Sequence, residues 1–115
     1  MPISIAASNS QTATLATDHT LATQASPTGG AIYQLRVDAA NLVNGERVTL
    51  TLRTKARSAD TERVLYQSAF ENVQGEPLKD SPAIAVEAAV NLVAILRQDG
   101  GSTKNYPWSL IRLDG

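Results

Sequence analysis

Asp18 and His19 are, by type, the residues best suited to acid–base chemistry in this chain. They sit side by side in TATLATDHTLATQ (Thr12–Gln24), with Ser8 and Ser10 upstream and threonines on both sides. A hydroxyl nucleophile, an imidazole base and a carboxylate that orients the base would make an acyl-transfer site. That chemistry needs three groups converging from a rigid scaffold. Here they lie in a flexible-looking, threonine-rich segment, and adjacent residues on an extended strand point to opposite faces. Asp18–His19 therefore reads as a solvated bend between two short extended pieces, each carrying one Leu-Ala-Thr unit (Leu15–Thr17 and Leu21–Thr23). His19 is the only histidine and cysteine is absent, which argues against a zinc site. The carboxylates Glu62, Glu71, Glu76, Asp80 and Glu87 are scattered and flank loops or polar strand faces. Nothing pairs two of them in the contrasting environments that acid–base catalysis needs. The segment QDGGSTKN (Gln98–Asn105) lacks the glycine spacing and the Gly-Lys-Ser/Thr ending of a phosphate loop. The expectation is a non-enzymatic chain with no metal and no cofactor.

The basic residues Arg47, Arg53, Lys55, Arg57 and Arg63 form the other chemical grouping. Arg47, Arg53 and Lys55 project from one face of one predicted strand, with Arg63 near them. Nucleic-acid binding would want interleaved aromatics, and no Phe, Tyr or Trp lies between Arg47 and Arg63. Two readings remain: a solvated strand face, or a polar contact surface for a partner protein.

The elements that position these residues are strands. In AIYQLRVD, Tyr33, Leu35 and Val37 alternate with Gln34, Arg36 and Asp38, the period of a half-buried strand. Asn44-Gly45 signals a turn. Val48, Leu50 and Leu52 then alternate with Arg47, Thr49, Thr51 and Arg53. A third strand lies in ERVLYQSAFENV, with Val64, Tyr66, Ser68 and Phe70 on one face. Gly75, Pro77 and Pro82 break the loop after it. The run AIAVEAAVNLVAILRQDGG admits two readings. Ser81 as N-cap, Pro82 at the first helical position, Gly100 after the end and the alanine content favour a helix. The β-branched Val86, Val90, Val93 and Ile95 favour a strand. KNYPWSLIRL closes the chain as a strand with Trp108 and Leu110 on one side, and Gly100-Gly101 suits a hairpin turn before it.

The chain has 115 residues, the size of one domain. Hydrophobic residues make up 43% and aromatics only 4%, so the core must be mostly Val, Leu, Ile and Ala, with Trp108 a core residue. Net charge is −1, which offers no footprint for nucleic acid or an anionic membrane. No apolar run is long enough to span a bilayer, and MPISIAASNS lacks the features of a signal peptide. Only one charged residue, Asp18, precedes Arg36. Residues 1–30 thus form a Thr/Ala/Ser-rich arm that buries too little to fold alone and adds strands to the chain's own sheet or to a partner. Pro27, Gly29 and Gly30 separate it from a domain over residues 31–115. The expected fold is all-β: an antiparallel β-sandwich, jelly-roll-like, with an extended N-terminal arm. Ile3, Ile5, Leu15 and Leu21 are the apolar anchors of that arm, packing either on a neighbour or on their own sandwich.

The run RTKARSADTERVLYQSAFENVQGEPLKDSP, the later LRQDGGSTKNYPWSLIRL and the opening SQTATLATDHTLAT together resemble small virion proteins of tailed bacteriophages that are similar to capsid decoration, or cement, proteins. The most specific matches are Val73-Gln74-Gly75-Glu76-Pro77 and Pro107-Trp108-Ser109-Leu110. In that family a strand ending in Leu-x-Gln precedes the closing Trp; Leu96-Arg97-Gln98 at that place makes Asn91–Gln98 a strand, while Ala83–Val90 stays open. The resemblance implies a β-sandwich on the outer surface of the capsid, often trimeric, that binds the major capsid protein and reinforces joints between capsomers. The interface candidates are then Ile3, Ile5, Leu15, Leu21, Arg47, Arg53 and Lys55. Alternatives are a tail or head–tail connector subunit, or a carbohydrate-binding β-sandwich using Tyr33, Tyr66, Tyr106 and Trp108 as platforms.

Overall fold

The structure is a computed structural model and describes residues 3–25, 30–88 and 90–114. Pro27 and Gly29, read above as punctuation, lie outside the described residues. The described chain forms β1 (Ile3–Thr12), β2 (His19–Ala25), β3 (Ala31–Asp38), β4 (Arg47–Thr54), β5 (Arg63–Glu71), β6 (Leu78–Asp80), β7 (Ile84–Val86), β8 (Asn91–Asp99) and β9 (Asn105–Asp114). It is all-β, with two antiparallel sheets packed face to face. One sheet has the order β1-β9-β3-β6, with β7 also pairing with β3; the other has the order β2-β8-β4-β5.

The pairings have a simple logic. β1 pairs with β9, β2 with β8, β3 with β6 and β7, and β4 with β5. The two halves of the chain thus run antiparallel as one ribbon, with the β4–β5 connection at its tip. The ribbon rolls up when β3 also bonds β9 and β4 also bonds β8. That is the double-sheet jelly roll, in which long connections replace nearest-neighbour hairpins.

Period-two alternation places the core. Tyr33, Leu35 and Val37 of β3, Val48, Leu50 and Leu52 of β4, Leu92, Ala94 and Leu96 of β8, and Tyr106, Trp108 and Leu110 of β9 are buried between the sheets. Each such aliphatic side chain contributes roughly 1.5–3 kcal/mol by burial. Tyr66 and Phe70 of β5, and Leu21 of β2, pack half-buried against them.

Two expectations are corrected, and one reading left open is decided. The Leu-Ala-Thr units are not paired extended segments. Leu15–Thr17 lies in the β1–β2 connection, where Ala16 takes a left-handed φ of 54°, and only Leu21–Thr23 is strand. Gly100-Gly101 is a turn with φ of 79° and 68°, but it joins β8 to β9 across the sandwich and makes no hairpin. The helix reading of the alanine-rich run fails where the run is described. Ile84 and Val86 form β7, and Leu92, Ala94 and Leu96 are buried at period two in β8, so packing overrides alanine propensity. Ser81 is no N-cap: its N–H bonds Leu35 O at 2.8 Å and its Oγ accepts the Leu35 N–H at 2.9 Å. Pro82, with no N–H, splits this edge into β6 and β7, and the Ser81 hydroxyl supplies the acceptor the ladder would otherwise lack.

Candidate functional site

His19 and Asp18 are drawn apart. His19 opens β2, and its Nε2 accepts the Thr14 N–H at 2.9 Å while Nδ1 faces the Gln11 amide at 3.2 Å. Both ring nitrogens are thus engaged in holding the β1–β2 connection. Asp18 turns instead toward Arg97, with Oδ1 3.7 Å from Nη1. No hydroxyl nucleophile meets the ring among these contacts.

A cleft of about 610 Å³ opens on the outer face of the four-stranded sheet. β4 supplies Arg47, Thr49, Thr51 and Arg53; β8 supplies Ile95, Arg97 and Asp99; Gln67 comes from β5 and Asp18 from the β1–β2 connection. The residues opposite each other in register are Thr49 and Arg97, Thr51 and Ile95, and Thr51 and Gln67. Thr51 and Ile95 point away from the core, yet are only 6% and 8% exposed. They form the floor. Gln67 Nε2 donates to Thr51 Oγ1 at 3.1 Å.

The two ends of the cleft differ electrostatically. At one end Arg47 lies 3.6 Å from Glu71 and 3.8 Å from Asp99, and Arg97 lies 3.2 Å from Asp99 and 3.7 Å from Asp18. Such half-exposed pairs add little stability, but together they fix two guanidiniums. At the other end Arg53 faces no carboxylate within ion-pair distance among the described residues, and its Nε–H is buried with no acceptor. The register puts Val64 and Val93 opposite it.

Arg47 and Arg53 are thus brought together in one site. Lys55 lies beyond the end of β4, beside Arg63, Val64 and Leu65 in a separate shallow pocket. Ile3 and Ile5 stand exposed on β1, at 73% and 58%. Leu15 is exposed on the connection, while Leu21 packs on the chain's own core. Of the four aromatics that could form sugar platforms, Tyr33, Tyr106 and Trp108 are buried and Tyr66 packs inward; none lines the cleft. Sequence reasoning missed Asp18, Gln67, Arg97 and Asp99 as cleft residues. Their signal was alternation in VAILRQD, which puts Arg97 and Asp99 on the face away from the core.

Behind the cleft a buried polar network closes the end of the sandwich. Glu46 Oε1 accepts the Val43 N–H at 3.1 Å and Oε2 accepts the Ser102 N–H at 3.1 Å. Gln98 donates to Gly100 O and Ser102 O at 3.2 and 2.8 Å, and its Oε1 accepts the Lys104 N–H at 3.2 Å and Tyr106 Oη–H at 2.9 Å. Burial, reinforced by the Glu46 charge, pushes the Tyr106 phenol up to about 12. Among the described residues no three His, Cys, Asp or Glu are grouped to hold a metal, and no helix is long and apolar enough to cross a membrane. No protein-family profile, curated protein or solved structure matches the chain.

Proposed function

We propose that this chain is a non-enzymatic structural protein of a tailed-phage virion that decorates the outside of the capsid and ties capsomers together. The observation that carries the reading is the edge formed by β1. Among the described residues β1 hydrogen-bonds only β9, so its other side offers unpaired backbone groups. Edge strands are ordinarily blunted with charge or proline; Ile3–Thr12 contains neither. Its one edge device is the irregularity at Ala6. Ile3 and Ile5 continue an apolar row on the outer face, with Leu113 and Ile32 beside Ile3 and Ile111 beside Ile5. Such an edge suits strand addition to a neighbour, where backbone hydrogen bonds give affinity and side-chain pockets give specificity. The resemblance in sequence supplies the neighbour: the major capsid protein, with oligomerisation to a trimer.

The test is co-sedimentation of purified protein with expanded phage shells, with shell melting followed by calorimetry. The chain is expected to bind and to raise the melting temperature of the shell. Ile3→Lys with Ile5→Lys is expected to weaken binding at least tenfold without lowering the chain's own unfolding midpoint, because both side chains are exposed. A chain that binds no shell refutes the proposal. Immunogold labelling at the tail or neck replaces it with a tail or connector role.

A further inference from the structure

We infer that the cleft on the four-stranded sheet is a carboxylate-binding site that takes an acidic segment of a partner protein, with Arg53 as its anchor. The inference names the chemistry of one shell contact, and it rests on the reading above only for the partner's identity.

Arg47 and Arg97 already have carboxylates within 4 Å, and Arg53 has none among the described residues. Its Nε–H is removed from solvent and has no acceptor. Arg53 lines the cleft with no carboxylate of its own, so a carboxylate entering from solvent meets a planar guanidinium fork, which offers a bidentate contact that a lysine cannot. The floor beside it, Thr51 and Ile95, is a small surface of one hydroxyl and one aliphatic group, suited to a short side chain and its backbone. Gln67 and Thr49 line the same cleft with amide and hydroxyl groups that can meet an extended main chain.

Charge selects the class of anion. The lining carries three arginines against Asp18 and Asp99, and Glu71 pairs with Arg47 from beside it, so the one lining arginine without a carboxylate among the described residues is Arg53. That balance fits a single carboxylate. A phosphate dianion or a polyanionic backbone would meet the two aspartates as well. The absence of any aromatic from the lining separates the cleft from sugar sites built on stacking platforms.

The experiment is a ¹H–¹⁵N NMR titration of the full chain with acetylated, amidated tetraglutamate. Parallel arms use tetraglutamine, inorganic phosphate and a galacturonate trimer. Expected are shifts confined to Arg53 Nε–H and to the amides of Thr49, Thr51 and Gln67, an affinity that falls with salt, and at least tenfold weakening in Arg53→Gln. Arg53→Lys keeps the charge without the fork and is expected to weaken binding several-fold; it also serves as the test variant should Arg53→Gln fail to fold. No perturbation, equal binding by the variants, or equal response to phosphate or galacturonate overturns the inference. In shell co-sedimentation, undiminished binding by Arg53→Gln overturns it while leaving the decoration role standing. Tetraglutamate binding through Arg53, with no shell bound by the wild type, leaves the site standing and removes the role.

Discussion

Removing the Tyr106 hydroxyl should reverse its effect on stability as pH rises. Tyr106 is fully buried, donates to Gln98 Oε1 at 2.9 Å and has its phenol pushed up to about 12. In Tyr106→Phe one neutral hydrogen bond is lost, worth about 1 kcal/mol. Gln98 Oε1 keeps the Lys104 N–H, so no acceptor is orphaned. Between pH 7 and 9 the wild type should therefore be more stable by about that amount. The folded chain holds the phenolic proton more tightly than the unfolded chain, whose phenol titrates near 10. Stability from this group is thus fully present below about pH 10 and is lost as pH rises toward 12. With the two values about two units apart, the loss at pH 11 is about 1.4 kcal/mol. The difference between the two proteins should vanish near pH 11 and change sign above it. Titration of lysines and the other tyrosines affects both proteins and cancels in the difference. The assay is urea unfolding at pH 8, 10, 11 and 11.5, followed by fluorescence of Trp108, the single tryptophan. Unfolding curves that keep the same separation and order to pH 11.5 would refute the view that this hydroxyl is held neutral by burial.

Three further substitutions probe the same end of the sandwich. Gly100→Ala puts a Cβ 2.6 Å from Gly45 O at a φ of +79°, whereas Gly45→Ala, at a φ of +90°, meets nothing within 4 Å. Gly45→Ala should cost about 1 kcal/mol from backbone strain alone and Gly100→Ala clearly more, by thermal unfolding; equal costs would show that the turns move freely past each other. Glu46→Gln replaces one of two acceptors with a donor facing a backbone N–H, since both Glu46 oxygens accept. It should cost about 1–3 kcal/mol and lower the Tyr106 titration toward its ordinary value, read by ultraviolet absorbance; an unchanged titration would remove Glu46 as a cause of the shift.

What was legible in the sequence followed from local alternation. β3 was readable to the residue because Tyr33, Leu35 and Val37 are large and alternate with the polar Gln34, Arg36 and Asp38. The same held for Val48, Leu50 and Leu52, which in turn put Arg47 and Arg53 on one outer face. The first thirty residues were less readable. Their aliphatics are single and spaced by Ser and Thr, and β1 and β2 exist because β9 and β8, about 66 to 110 positions on, supply their hydrogen bonds. The glycine turns misled for a related reason. Gly100-Gly101 sets the local bend, but whether two strands then pair is decided by the rolled ribbon, which places β9 between β1 and β3. The cleft fails to show for the same cause. Asp18, Arg97 and Arg53 share no pattern in the sequence, and β8 brings them together by lying between β2 and β4.

The architecture also constrains what kind of binder this chain can be. The two outer faces point away from each other and differ in chemistry. One carries the arginine-lined cleft; the other carries the apolar row that begins at Ile3 and Ile5 on the β1 edge. A protein that recognises one ligand needs one such surface. A protein that holds a joint needs two, set on a body that keeps their separation fixed. Here the buried network of Glu46, Gln98 and Tyr106 pins the loops at one end, and the sheets fix the rest. Neither contact need be strong under the proposed role. Once one surface is engaged, the second binds at high effective concentration, so two modest contacts retain the chain far longer than either alone. The same coupling means that disabling either surface returns the chain to the affinity of the other. That is why the Ile3/Ile5 and Arg53 substitutions are each expected to release it from a shell without unfolding it.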